Sequence, residues 1–313
     1  MAKRNKKKSS PFLYVLFVIG FLVGAGILFY PTISELWNQY RDQQLVSEYH
    51  EAVGALEEED YSEVLAEARA YNDQHTTNII VDAFNEETGD YIMSHPYDQL
   101  LDPMGNGIMG YLEIPKISVN LPIYHGAGMI ALENGVGHIE GTSLPIGGAG
   151  THAVLSGHRG LPSAKMLTDL DQIGIGDIFL IRVLNETMAY RVDQILTVLP
   201  TETEAMAIEE DRDMVTLVTC TPYGVNSHRL LVRGERTEYI PEEMDADTGI
   251  VLRNPLEGSQ NRTQTLLVLA LAAFIIFVIL LNIVLSIRDR KRKKRQAEQA
   301  RSERGGENNE KRK

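Results

Sequence analysis

The chain of 313 residues carries 30 basic and 43 acidic side chains, a net charge of −13, with 43% hydrophobic residues. That balance excludes nucleic acid as a main partner. A single cysteine excludes an intramolecular disulfide, so any extracellular part must rest on its own hydrophobic core.

Residues 1–11 hold Lys3, Arg4, Lys6, Lys7 and Lys8 and no acid, and Phe12 to Tyr30 follows as nineteen residues without a charge. At about 1.5 Å per residue that stretch spans a bilayer as a helix. Gly24, Ala25 and Gly26 leave a cleaved signal sequence as the alternative to a transmembrane anchor at 12–30. The next segment, 31–98, is predicted to open with helices as far as about residue 72. Thr32 with Glu35, and Asp60 with Glu63, fit capping boxes at helix starts. Ile33, Trp37 and Tyr40, then Leu45, Tyr49, Ala52 and Leu56, recur at helical spacing. From Asn72 to Asn106 the chain is polar and irregular, and within it Asp102-Pro103-Met104 has the composition of an ordinary turn.

From 107 to 240 the pattern changes to short apolar runs separated by Gly, Pro and Asn, which predicts a mainly β fold closed into a barrel. Ile178 to Leu184 and Met188 to Val192 flank Asn185-Glu186-Thr187 as a hairpin, and Leu199 to Asp213 is a long polar connection. Residues 241–265 form an acidic linker. Residues 266–287 are an apolar run of twenty-two, read as a second transmembrane helix, and 288–313 form a basic tail. Basic flanks stay in the cytoplasm, which puts both termini inside and the intervening segment outside. That segment, 31–287, holds 13 basic against 38 acidic side chains, a net charge of −25. The basic tail is accordingly assigned to topology and lipid contact.

The chemistry concentrates at the end of the β region. Val215 to Thr219 reads as a buried strand ending at Cys220, Pro222, Gly224, Asn226 and Ser227 make a loop, and Leu230 to Val232 begins a second strand just after Arg229. A hairpin of that length sets Cys220 and Arg229 side by side at a sheet edge. A thiolate nucleophile gains from a nearby cation or imidazole, and a guanidinium can hold an oxyanion. Among eight histidines, His158 is the candidate base because Ser156-Gly157-His158-Arg159-Gly160 follows the strand-like Ala153-Val154-Leu155. Arg233 shares the strand face of Arg229 and is its rival, while His228 is read as structural. The bland alternative is a buried structural cysteine with a surface arginine and a loop histidine. Paired metal-ligand spacings are absent, so no metal or cofactor is expected.

The stretch Thr216-Leu217-Val218-Thr219-Cys220 through Arg229 to Arg236 resembles the active-site signature of the sortases, in particular the pilus-assembling class C branch. The likeness continues upstream in order through Gly110 to Pro115, Leu121 to Gly126, Gly137 to Pro145 and Leu155 to Pro162. The resemblance implies an eight-stranded sortase barrel, to be joined to the N-terminal helices and the transmembrane helix near each terminus read above. It implies His158, Cys220 and Arg229 as the catalytic residues and no cofactor. It also implies transpeptidation: cleavage of LPxTG-like sorting signals of pilin proteins, then transfer to an acceptor lysine of another pilin. Class C sortases carry a lid with an Asp-Pro-aromatic motif. Residues 99–106 are the candidate, with Asp102 and Pro103 in register and Met104 in the aromatic's place. Anchoring of single proteins to peptidoglycan, and a catalytically silent membrane scaffold, stay open as other readings.

Overall fold

The computed structural model describes residues 11–56, 58–74, 84, 96–161, 163–240 and 275. The chain divides into two units, Met1–Leu252 and Arg253–Lys313, and every described residue but Ile275 belongs to the first. The expected linker at 241–265, the second span at 266–287 and the basic tail at 288–313 lie outside the described residues, Ile275 excepted.

Helix α1 (Pro11–Gly54) runs unbroken through the apolar stretch and Pro31 into the segment beyond it. Among the described residues it is the one helix long and apolar enough to cross a membrane. The capping box expected at Thr32 is therefore corrected. The helix does not restart there, and one carboxylate oxygen of Glu35 accepts the Lys165 backbone N–H at 2.5 Å while the other accepts from Gln39. A long-range backbone partner has replaced the local one. Helix α2 (Glu58–Gln74) likewise starts two residues ahead of Asp60.

Two polar anchors dock these helices. The Tyr49 hydroxyl donates to Met109 O at 2.9 Å and accepts the Leu184 N–H at 2.8 Å. On α2, the Asn72 side chain pairs with both backbone groups of Leu144. Each satisfies buried backbone groups that the barrel leaves open. Around them Tyr49, Val53, Leu65, Ala68 and Tyr71 are buried in the same core as the barrel's interior residues.

The strands are β1 (Ile108–Ile114), β2 (Val119–His125), β3 (Val136–His138), β4 (Thr151–Gly157), β5 (Ile178–Val183), β6 (Glu186–Val198), β7 (Asp213–Thr221) and β8 (His228–Thr237), with a short helix α3 (Met129–Asn134) between β2 and β3. They close into a barrel in the order β1-β2-β3-β4-β7-β8-β6-β5. The β2–β3 and β4–β7 pairs are parallel and the others antiparallel. The predicted β5–β6 hairpin is present with a tighter turn than the sequence suggested, Val183 pairing with Glu186 across Leu184-Asn185.

Alternation along the strands sorts two apolar layers. Leu217, Leu230 and Val232 point into the main core with Leu112, Ile123, Ile181 and Tyr190. Val218 and Leu231 point outward, into a smaller cluster with Ile139, Val154 and Met206. Gly234 is needed where β8 crosses the core, since a Cβ there would lie 2.6 Å from the Phe179 ring, which stacks on Tyr190. The long connection between β6 and β7 covers the outer layer, and the candidate site lies at one edge of it.

Candidate active site

Pairing of β7 with β8 sets Cys220 opposite Arg229. Both are buried, at 6% and 7% exposure. Strand β4 runs parallel to β7 with Ser156 beside Val218, so continuing that register by two places brings His158 beside Cys220. The Thr219 hydroxyl donates to Gly157 O at 2.7 Å, tying the cysteine strand to the strand that delivers the histidine. Three residues from two separate parts of the sequence thus converge at one end of the barrel.

The loop after β4 is closed on itself. Leu167 N donates to His158 O, and Gly160 N to the Thr168 hydroxyl. Arg159 bridges this loop to β7: its guanidinium donates to Thr168 O and to the Thr221 hydroxyl, each at 3.1 Å, and pairs with Asp171. Burial pushes the His158 imidazole below the ordinary histidine value, opposed by the Glu133 carboxylate on α3. Arg229 is aimed by the β7–β8 loop, where its Nη1 donates to Asn226 O and His228 O.

Arg233 is set away from Cys220 by its place. It lies opposite Thr216 and forks onto Asp193 at 2.7 and 3.1 Å while also binding Glu209. Arg212 shares both acids and adds Glu235. His228 sits opposite Thr221 and contacts the Ser227 hydroxyl.

Asp102, Pro103 and Met104 are not brought to this site, and the lid expectation is corrected. Both carboxylate oxygens of Asp102 accept backbone N–H groups of its own turn, from Asn106 and Gly107, and Met104 packs against the main core. The triplet shapes the entry into β1. The aromatic over the site is instead Phe84. Its ring lies 5.6 Å from the His158 imidazole and 5.1 Å from Arg229 Cζ, and it packs on the outer apolar cluster. A guanidinium over a ring face at this distance is an attractive cation–π contact. The signal was present in the sequence as Asp82-Ala83-Phe84, which has the acid and the aromatic but Ala where the motif has Pro.

Beside Arg229 a shallow cleft, open to solvent, runs between the β6–β7 connection and the barrel, and Ile139, Pro200, Met206, Val218 and Leu231 line it. An apolar surface beside a guanidinium suits a peptide segment with aliphatic side chains.

Fold and site together define a closed barrel with a cysteine, histidine and arginine clustered at one strand edge. A family model described as Sortase domain matches residues 112–237. The chain is 43% identical in sequence to the crystal structure of sortase C-1 from Streptococcus pneumoniae, covering 63% of this chain and 100% of that one with a TM-score of 0.59. It is 37% identical to a pilus-related sortase C of Group B Streptococcus, covering 62% and 97% with a TM-score of 0.58. Among curated proteins it is 28% identical over 130 residues to sortase D of Bacillus subtilis (strain 168), which is 41% of this chain and 63% of that protein. The chain spans about three fifths of the length of the curated relatives it matches. It belongs to the sortase family, in the class C branch.

Proposed function

We propose that this protein is a membrane-anchored cysteine transpeptidase that joins pilin subunits. The pairing of Cys220 with Arg229 beside the His158 loop carries the reading, and likeness to a pilus-related sortase C supports the choice of substrate. Cys220 Sγ adds to the Thr–Gly carbonyl of an LPxTG-like sorting signal lying in the cleft, and Arg229 donates hydrogen bonds to the oxyanion. The C–N bond breaks as His158 passes its proton to the leaving amine, which leaves a thioester on Cys220. A lysine amine of another pilin then attacks the thioester carbonyl and gives up a proton to His158, forming an isopeptide bond and releasing the Cys220 thiolate. The Phe84 ring covers His158 and Arg229 in this state and must move before the peptide enters. The apolar first part of α1 anchors the chain in the membrane, with the barrel outside and both basic termini in the cytoplasm.

Intact-mass spectrometry of residues 31–240 after incubation with LPxTG-type peptides tests the reading. An acyl adduct is expected on the native sequence and none on Cys220→Ala. A folded domain that forms no adduct across a panel of sorting motifs refutes it.

A further inference from the structure

The first turns of α1 beyond the apolar stretch do more than connect the barrel to its anchor. The Ser34 hydroxyl and the Asn38 Nδ2 both donate to Ser163 O at 2.8 Å. Glu35 accepts the Lys165 N–H at 2.5 Å, and Arg41 donates to the Asn134 side chain at the end of α3 at 2.8 Å. Ser34, Glu35 and Asn38 lie within about a third of the helix circumference, and between them they take hold of Ser163 O and Lys165 N on one loop. That loop begins at His158 and is closed by the Leu167–His158 and Gly160–Thr168 bonds, while Arg159 ties its base to the cysteine strand. Its base is thus held from the barrel and its tip from α1. The loop is held further by Lys165 Nζ on Ile117 O and by the burial of Ala164, Met166 and Leu167 in the main core.

We propose that Ser34, Glu35 and Asn38 of the anchor helix are positioning residues of the active site, fixing the 158–168 loop so that His158 stands in reach of Cys220 and of the leaving amine. The inference rests on the transpeptidase reading above. Fixing a proton donor matters because a displacement of about 1 Å can cost about a hundredfold in rate. It also gives the site a location. Ser34 is four residues past Tyr30, so at about 1.5 Å per residue the helix reaches the histidine loop within about 6 Å of its apolar stretch. One helix serves as anchor and as a wall of the catalytic centre. A barrel cut free of residues 31–41 then loses activity without losing any residue of the catalytic trio.

The test uses the full chain in lipid nanodiscs and reads the rate of acyl-adduct formation against peptide concentration. Asn38→Asp keeps the shape of the side chain but replaces the donor onto Ser163 O with a carboxylate. Glu35→Ala removes the acceptor for Lys165 N, and Glu35→Gln restores one. Asn38→Asp and Glu35→Ala are expected to lower the maximal rate about tenfold, with the half-saturating peptide concentration unchanged and Glu35→Gln close to wild type. Wild-type rates in all three overturn the proposal. So does a loss that follows the fall in melting temperature and is not rescued by Glu35→Gln, since that pattern marks a merely structural contact. A wild-type chain that forms no adduct overturns the transpeptidase reading, and this inference with it.

Discussion

Two of the buried histidines, His138 and His152, make the domain acid-sensitive, and His138 provides the sharper test. It is fully buried, with Nδ1 accepting from the Tyr97 hydroxyl at 2.8 Å and Nε2 donating to Ser143 O at 2.8 Å, so the neutral ring is already satisfied. Burial lowers its pKa from 6.5 to about 4. An unfolded chain therefore takes up a proton that the folded one refuses between those values. Stability from this group is complete above about pH 6.5 and falls as the pH drops toward 4. At 1.36 kcal/mol per unit the loss between pH 7 and pH 5 comes to about 2 kcal/mol, a sizeable share of the 5–15 kcal/mol typical of a domain. Urea unfolding of residues 31–240 followed by far-UV circular dichroism at both pH values measures it. His138→Gln removes the titration while leaving the carboxylates in place, so its pH dependence between 7 and 5 is expected to be about 2 kcal/mol shallower than that of the native sequence. A variant whose pH dependence matches the native one to within about 0.5 kcal/mol refutes the reasoning. His152, held between Ala207 O and the Thr216 hydroxyl with its pKa lowered by burial to about 4, predicts the same behaviour for His152→Gln.

Phe84→Ala removes contacts with Arg229 and His158 worth about 1–2 kcal/mol. If the ring must leave before peptide binds, adduct formation on residues 31–240 rises about five- to thirtyfold; an unchanged or lower rate removes Phe84 as the cover. Tyr49→Phe deletes the hydroxyl that serves Met109 O and Leu184 N, both in the buried seam between α1 and the barrel. It is expected to cost about 1–3 kcal/mol in urea unfolding, and a cost below about 0.5 kcal/mol would show that water replaces the hydroxyl.

Much of this protein could be read along the chain because the deciding interactions are local. The hairpin that sets Cys220 against Arg229 depends on a short loop between two apolar runs, and the His158 loop on a strand end rich in glycine. The apolar 12–30 stretch depends on composition alone. Where the sequence misled, a distant partner had outweighed a local pattern. Glu35 was available to cap a helix at Thr32 but binds Lys165 N, 130 positions away. Asp102-Pro103-Met104 matched a motif in two positions, yet the Asp102 carboxylate is engaged by its own turn. Phe84, with alanine before it, is the aromatic that reaches the site.

Arg229 and Arg233 were indistinguishable by alternation. The register of β7 and β8 separates them, with Asp193 and Glu209 claiming Arg233 from another strand and the β6–β7 connection. Composition and apolar pattern by themselves marked the β region and the long N-terminal apolar helix, and the motif blocks with their family resemblance singled out the candidate residues. Only the closed barrel decided which loop each of those residues meets, because strand order and helix docking arise from contacts between positions a hundred residues apart.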